Sequence, residues 1–97
     1  MSHQDIIDRI RAQAEAVKAL GATALYIYGS RARGDARPDS DLDVYVDFDP
    51  EIFGFVELVE LEDMLARELG LTVQLGTHDA LHPRMKRQIE RDAVRVL

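Results

Sequence analysis

A chain of 97 residues, 46% hydrophobic and 31% charged, allows one small globular domain and does not have the composition of a disordered protein. A net charge of −6 gives no bulk electrostatic grip on duplex DNA or an anionic membrane, although a local basic cluster could still hold a phosphate. The absence of cysteine removes disulfide frameworks and thiolate metal sites, no apolar run reaches membrane-spanning length, and the N-terminal stretch is too polar for a signal peptide, so a soluble cytoplasmic protein is expected.

Residues 3–20 carry Ile6, Ile7, Ile10, Ala14, Val17 and Leu20 at helical spacing. Ser2 can cap this helix, Asp5 suits the dipole of its first turn, and Gly21 supplies a stop. Residues 23–28 form a run of β-formers, Leu25-Tyr26-Ile27-Tyr28, that Gly29 ends. A turn or short helix is expected over Ser30–Gly34. Residues 41–47 read as a second strand, after a loop marked by Pro38 and Ser40. Strand alternation puts Leu42, Val44 and Val46 on one face and Asp41, Asp43 and Tyr45 on the other. Asp49-Pro50 breaks that strand. A second helix follows over Gly54–Leu69, with Phe55, Leu58, Leu61, Leu65 and Leu69 as its stripe and Gly70 as its stop. Residues 71–75 read as a third strand and 77–83 as a loop. Pro83–Asp92 reads as a basic helix, and Ala93–Leu97 as a last short strand. The order predicts an α/β (α+β) domain over residues 1–97, a small mixed sheet with helices packed on one face.

Four motifs bear on chemistry. Gly29 to Gly34 has the G-x-x-x-x-G spacing of a phosphate loop, but Asp35-Ala36 stands where Lys and Ser/Thr are required. A Gly-Ser turn after a strand can still approach a phosphate, and an ordinary tight turn has the same sequence. Asp39, Asp41 and Asp43 resemble the start of a calcium loop, yet Val44 and Pro50 occupy its Gly and Glu positions. On a strand, two carboxylates of one face repel, and a divalent cation, Mg²⁺ above all, accounts for them more directly than a solvated edge. His78 and His82 are spaced as in a zinc helix, but Pro83 disfavours that helix and a surface loop is expected. Arg84, Lys86, Arg87, Arg91 and Arg95 form a basic segment suited to solvent, an acidic partner surface or RNA.

Taken together, Gly29-Ser30-Arg31-Ala32-Arg33-Gly34 and Ser40-Asp41-Leu42-Asp43-Val44 give G-S-x10-D-x-D between two strands. This pattern resembles the DNA polymerase β-type nucleotidyltransferase superfamily, and more narrowly the minimal nucleotidyltransferases (MNT) that serve as antitoxins. The similarity runs from the leading helix to the closing Arg/Val segment. It implies a nucleotidyltransferase fold and transfer of a nucleoside monophosphate from a nucleoside triphosphate to a hydroxyl. Gly29 and Ser30 would grip the terminal phosphates with help from Arg33, and Asp41 and Asp43 would hold two Mg²⁺ ions. The implied substrate is ATP. The implied partner is a HEPN-type ribonuclease toxin, adenylylated on a tyrosine.

One position departs from the family. Its third carboxylate lies on the third strand as Val-Asp-Leu, where this chain has Val73-Gln74-Leu75. Gln74 can offer an amide oxygen but cannot take a proton. Losing a general base there would cost on the order of 10²- to 10⁴-fold in rate. Two expectations follow: an adenylyltransferase acting on a toxin, or an impaired MNT that neutralises its partner by docking. Phe53, Phe55 and the basic segment are the expected partner surface.

Overall fold

The computed structural model describes residues 1–97. The chain begins with α1 (His3–Ala12), closed by a reciprocal cap in which Asp5 N–H donates to Ser2 Oγ and Ser2 N–H donates to Asp5 Oδ2, both at 3.0 Å. The helix expected over 3–20 is two helices. Gln13 leaves helical geometry, and α2 (Ala14–Ala19) resumes beyond it. The break re-aims the apolar stripe, so that Ile6, Ile7 and Ile10 before it and Val17 after it all reach the core.

Four strands follow: β1 (Ala22–Tyr28), β2 (Leu42–Phe48), β3 (Val73–Thr77) and β4 (Val94–Arg95). The sheet order is β3-β2-β1-β4. β1 runs antiparallel to β2 and β4, while β2 and β3 are parallel. The parallel step needs a crossover, and α4 (Phe55–Leu69) provides it. β3 lies two residues later than expected over 71–75, because its extent is set by what β2 can pair. Leu42 stands opposite Val73 and Val46 opposite Thr77. β3 is an edge, and the Leu75 N–H donates to Glu62 Oε2 of α4 at 3.0 Å. β4 pairs over two residues rather than five, after which Val96 and Leu97 continue with backbone bonds to Leu25.

Alternation sorts the sheet as read. Leu25, Ile27, Leu42, Val44, Val46, Val73 and Leu75 are buried in one cluster with Ile6, Ile10 and Val17 from α1 and α2 and Leu61, Leu65 and Leu69 from α4. Burial of such side chains is worth roughly 1.5–3 kcal/mol each, and this cluster fixes the sheet that carries the polar face. Phe55 does not join it. It is 78% exposed, and Val56 and Val59 are exposed beside it. Phe53 takes the place expected of Phe55 and is only 5% exposed, its ring 5.4 Å from that of Phe48. Of the expected aromatic partner surface, Phe53 is therefore core.

The opposite face carries Tyr26, Tyr28, Asp43, Tyr45 and Asp47. Tyr45 is 2% exposed because Tyr26 stacks on it at 4.7 Å and His78 packs against it at 4.8 Å. The His78–Ala80 segment is a single 3-10 turn, and α5 (Lys86–Asp92) starts three residues later than expected, after a turn in which Met85 N–H donates to His82 O at 2.9 Å. α5 flanks this second face. No helix is long and apolar enough to cross a membrane.

Candidate active site

β1 ends in Tyr28 and the chain turns at Gly29, whose φ of +72° is a conformation that side-chain-bearing residues rarely adopt. The position is closed to side chains for a second reason. A methyl group on Gly29 would run into Asp43 Oδ2. Glycine thus lets a carboxylate from β2 rest against the turn. A short helix, α3 (Ser30–Arg33), follows at once, and Ala32 and Arg33 N–H groups both donate to Gly29 O at 3.1 Å. The Ser30 and Arg31 N–H groups take no part in those bonds.

From Gly34 the chain loops to Asp41, and Arg31 holds that loop. Its Nη2 donates to Ser40 O at 2.8 Å and to Pro38 O at 3.3 Å, and its Nε to Ser40 O at 3.2 Å. Ser40 Oγ accepts from Arg37 N–H at 2.8 Å. Arg31 therefore orders the approach to Asp41, a role its place in the motif did not reveal. A guanidinium ahead of a Pro-x-Ser loop was the available signal.

Asp41 sits one residue outside β2, not within the strand as read, and Asp43 sits inside it opposite Tyr28. Gln74 of β3 is in register with Asp43, and its Nε2 donates to Asp41 Oδ2 at 3.5 Å. The two carboxylates and the amide, expected on one face, do come together. Burial holds the Asp43 carboxyl above the usual carboxylate range, the Asp41 charge adds to that, and Arg33 opposes it. Burial and then Asp43 push the Tyr28 hydroxyl up as well.

Asp43 and Tyr28 open onto a cleft of about 330 Å³, whose lining does not include Asp41 or Gln74. Tyr28, Gly29, Ser30, Arg33 and Asp43 line it from the sheet side, and Met85, just before α5, with Gln88, Ile89 and Asp92 of α5 from the other. Arg33 borders the cleft while its Nε donates to Asp35 at 3.3 Å. The α5 wall was not legible beforehand, because helical periodicity does not say which element a short helix packs against. A larger hollow of about 430 Å³ lies further along the face, around Asp47, His78 and Lys86. It lacks both the glycine turn and the adjacent aspartates.

His82 and His78 do not form a zinc pair. His78 Nδ1 lies 2.7 Å from Asp47 Oδ1 and its Nε2 2.7 Å from Glu90 Oε2, while His82 Nδ1 accepts from Arg84 N–H at 3.2 Å. His78 is thus more than part of a surface loop.

The donor set at Asp41, Asp43 and Gln74 suits a hard cation. It offers oxygen ligands, and one carboxylate is destabilised by burial and by its like-charged neighbour. No group of three or more His, Cys, Asp or Glu side chains in the chain is placed to hold a metal ion, so the set stops at two carboxylates and an amide.

Comparison with known proteins bears on the family and the fold. A Methanocaldococcus jannaschii protein provisionally named protein adenylyltransferase MJ1379 is 39% identical across 75% of this chain and 75% of its own length. Protein adenylyltransferase MntA of Thermococcus cleftensis is 37% identical across 78% and 76%. Among solved structures, one provisionally described as a minimal nucleotidyltransferase is 35% identical, with a TM-score of 0.73 over 97% of this chain and 95% of that one. A chain of a toxin–antitoxin crystal structure with AMP-PNP shares the fold at 20% identity, with a TM-score of 0.70 over 100% and 73%. The profile of the nucleotidyltransferase domain matches residues 10–96, which span the Gly29 turn, both aspartates and the α5 wall, and the chain belongs to the nucleotidyltransferase domain family.

Proposed function

We propose that this chain is an antitoxin that transfers AMP from ATP to a tyrosine hydroxyl of a HEPN-type ribonuclease toxin, in the cytoplasm, its 97 residues acting as one minimal nucleotidyltransferase domain. The observation that carries the proposal is the Asp43 carboxylate held against Gly29, in one cleft with Ser30 and Arg33 and beside Asp41 and Gln74. The names of the adenylyltransferase relatives support the reaction, and the toxin–antitoxin neighbour supports the setting.

Gly29 lets the terminal phosphates approach the backbone. Ser30 supplies a hydroxyl and an N–H, and Arg33 a guanidinium that suits phosphate oxygens. Asp41 and Asp43, with the amide oxygen of Gln74, would hold two Mg²⁺ ions. When bound, these ions would neutralise triphosphate charge and favour in-line attack at the α-phosphorus. The tyrosine oxygen forms a bond to the α-phosphorus, the bond from that phosphorus to the bridging α,β-oxygen breaks, and pyrophosphate leaves with its electrons. The phenolic proton goes to solvent or to a substrate phosphate, because Gln74 cannot accept it. Residues left exposed at the start of α4, Phe55, Val56 and Val59, form part of the partner surface with the basic segment of α5.

A second reading rests on Gln74 itself. An amide bonded toward Asp41 in place of a third acid suits a chain that binds nucleotide and toxin and neutralises by docking. One experiment separates the two. The chain is co-expressed with its partner, and the complex is incubated with Mg²⁺ and ATP labelled at the α-phosphate. The enzyme reading expects label on a partner tyrosine and its loss in Asp43→Asn. Neutralisation that persists in Asp43→Asn, with no label in either protein, establishes docking instead.

A further inference from the structure

α5 forms one wall of the cleft, yet none of its side chains is buried. Apolar packing therefore holds it weakly, and its specific polar tie to the sheet matters more. That tie is a bridge of three residues: Asp47 on β2, His78 after β3, and Glu90 on α5, with both contacts at 2.7 Å. Each imidazole nitrogen faces a carboxylate oxygen. A neutral ring can donate from one nitrogen only, so the unprotonated form would set a lone pair against a carboxylate. The bridge is complete only with imidazolium.

We propose that His78 is a positioning residue that straps α5 to the sheet through Asp47 and Glu90, so that the α5 wall of the cleft loosens as His78 loses its proton. The part of this concerning nucleotide rests on the proposed ATP-binding function of the cleft.

The groups around the ring support this assignment. β2 presents Asp47 and the buried Tyr45 ring, and β1 presents Tyr26 at 6.3 Å. α5 presents Glu90 and, across the same hollow, Lys86, while Asp79 is the acidic neighbour within the turn itself. Arg95 of β4 lies over Tyr26, on the ring's far neighbour rather than on His78. Carboxylates thus outnumber cations at the ring. Glu90 first and Asp47 second hold the imidazolium above its ordinary range, against a smaller opposing effect of burial. A raised imidazole value means that the strap is complete at lower pH and is lost as pH rises through that raised value. The loss falls above the pH at which an ordinary imidazole gives up its proton. His78 is four residues from Gln74 and does not touch Asp41 or Asp43, so the strap is separate from the carboxylates proposed to bind metal.

The test uses the intact chain and two readouts. The His78 ring proton is titrated by NMR, and amide exchange of residues 86–92 is followed over the same pH series and corrected for intrinsic rates. Protection of α5 is expected to fall roughly two- to fivefold with the His78 midpoint, the size expected for a partly exposed charged pair. Glu90→Gln keeps an acceptor but removes a charge, so it should lower the midpoint and carry the loss of protection with it. Affinity for Mg²⁺-ATP should fall by a similar factor at the same midpoint. Protection that ignores the His78 titration, or a midpoint unmoved in Glu90→Gln, overturns the strap. Affinity that stays flat while protection falls overturns its role in the cleft. If Mg²⁺-ATP binds at no pH, the nucleotide reading fails, while the exchange data still decide whether the strap exists.

Discussion

Replacing Gln74 by aspartate puts a third carboxylate where the amide now donates to Asp41 at 3.5 Å, in register with Asp43. Like charges about 4 Å apart in near-aqueous surroundings repel by about 1 kcal/mol. For a domain of this size a loss of that order lowers the melting temperature by about 4–8 °C. The deficit should depend on pH in a definite sense. Burial and Asp41 already raise the Asp43 carboxyl, so the folded chain binds that proton more readily than the unfolded chain does. Stability then declines as pH rises through the interval between the unfolded and the raised folded value. Gln74→Asp should deepen the decline and shrink to parity in acid. Mg²⁺ should reverse it, since an ion at a hundred times its dissociation constant stabilises the folded state by about 2.7 kcal/mol. In the transfer assay with saturating Mg²⁺-ATP and partner, the variant should run at least about tenfold faster, within the 10²–10⁴ typical of a positioned general base. Scanning calorimetry with EDTA or Mg²⁺, followed by single-turnover kinetics, supplies both measurements. A melting temperature indifferent to the substitution and to Mg²⁺ would refute the grouping of these side chains. An unchanged rate with the expected thermal shifts would refute a base at this position and favour docking.

Gly29→Ala should cost about 1–3 kcal/mol from the left-handed backbone alone. It should also displace Asp43, so that Mg²⁺-ATP affinity in titration calorimetry falls with stability. Ser30→Ala should weaken Mg²⁺-ATP by roughly three- to tenfold, the worth of one hydrogen bond, and EDTA should abolish binding by the parent. Equal binding with and without metal would count against the carboxylate pair as a metal site. Phe53→Ala should destabilise the chain by about 3–5 kcal/mol, whereas Phe55→Ala should leave the melting temperature within a degree or two and weaken capture of the partner. The reverse pattern would show that the two rings have been assigned to the wrong roles.

The polar face of the sheet was legible because strand alternation is a local rule. Asp43 and Gln74 had to leave their strands on the face opposite Val44 and Val73, whatever else the chain did. The Gly29 turn was legible for a similar reason, since few residues other than glycine accept that backbone. Periodicity failed where geometry beyond one element decided the outcome. Ile10, Ala14 and Val17 keep helical spacing straight across Gln13, so nothing in the pattern announced the break between α1 and α2. Phe55 completes the stripe of α4 on paper, but burial along that helix begins in earnest only at Leu61. Phe53, placed by the loop before the helix, fills the space instead. His78 and Glu90 are twelve residues apart, and only the packing of α5 brings them together.

The pairing of β4 with β1 has a consequence for the order of assembly. Arg95 meets Tyr26 after more than two-thirds of the chain has intervened, and Val96 and Leu97 reach back to Leu25. By contrast, β1 and β2 are joined through the one-turn α3 and the loop after it, and α4 leads directly into β3. Closing a long loop costs more entropy than closing a short one, and long-range pairings form late. Refolding should therefore bring Gly29 and Asp43 together first and add α5 and β4 last. In pulsed exchange, the Val44 amide should gain protection before that of Val96. Until then the outer edge of β1 has no partner and offers its free N–H and C=O groups to any neighbouring strand. Concentrated refolding should lose material to aggregation at this stage, and the loss should grow if the last residues are removed.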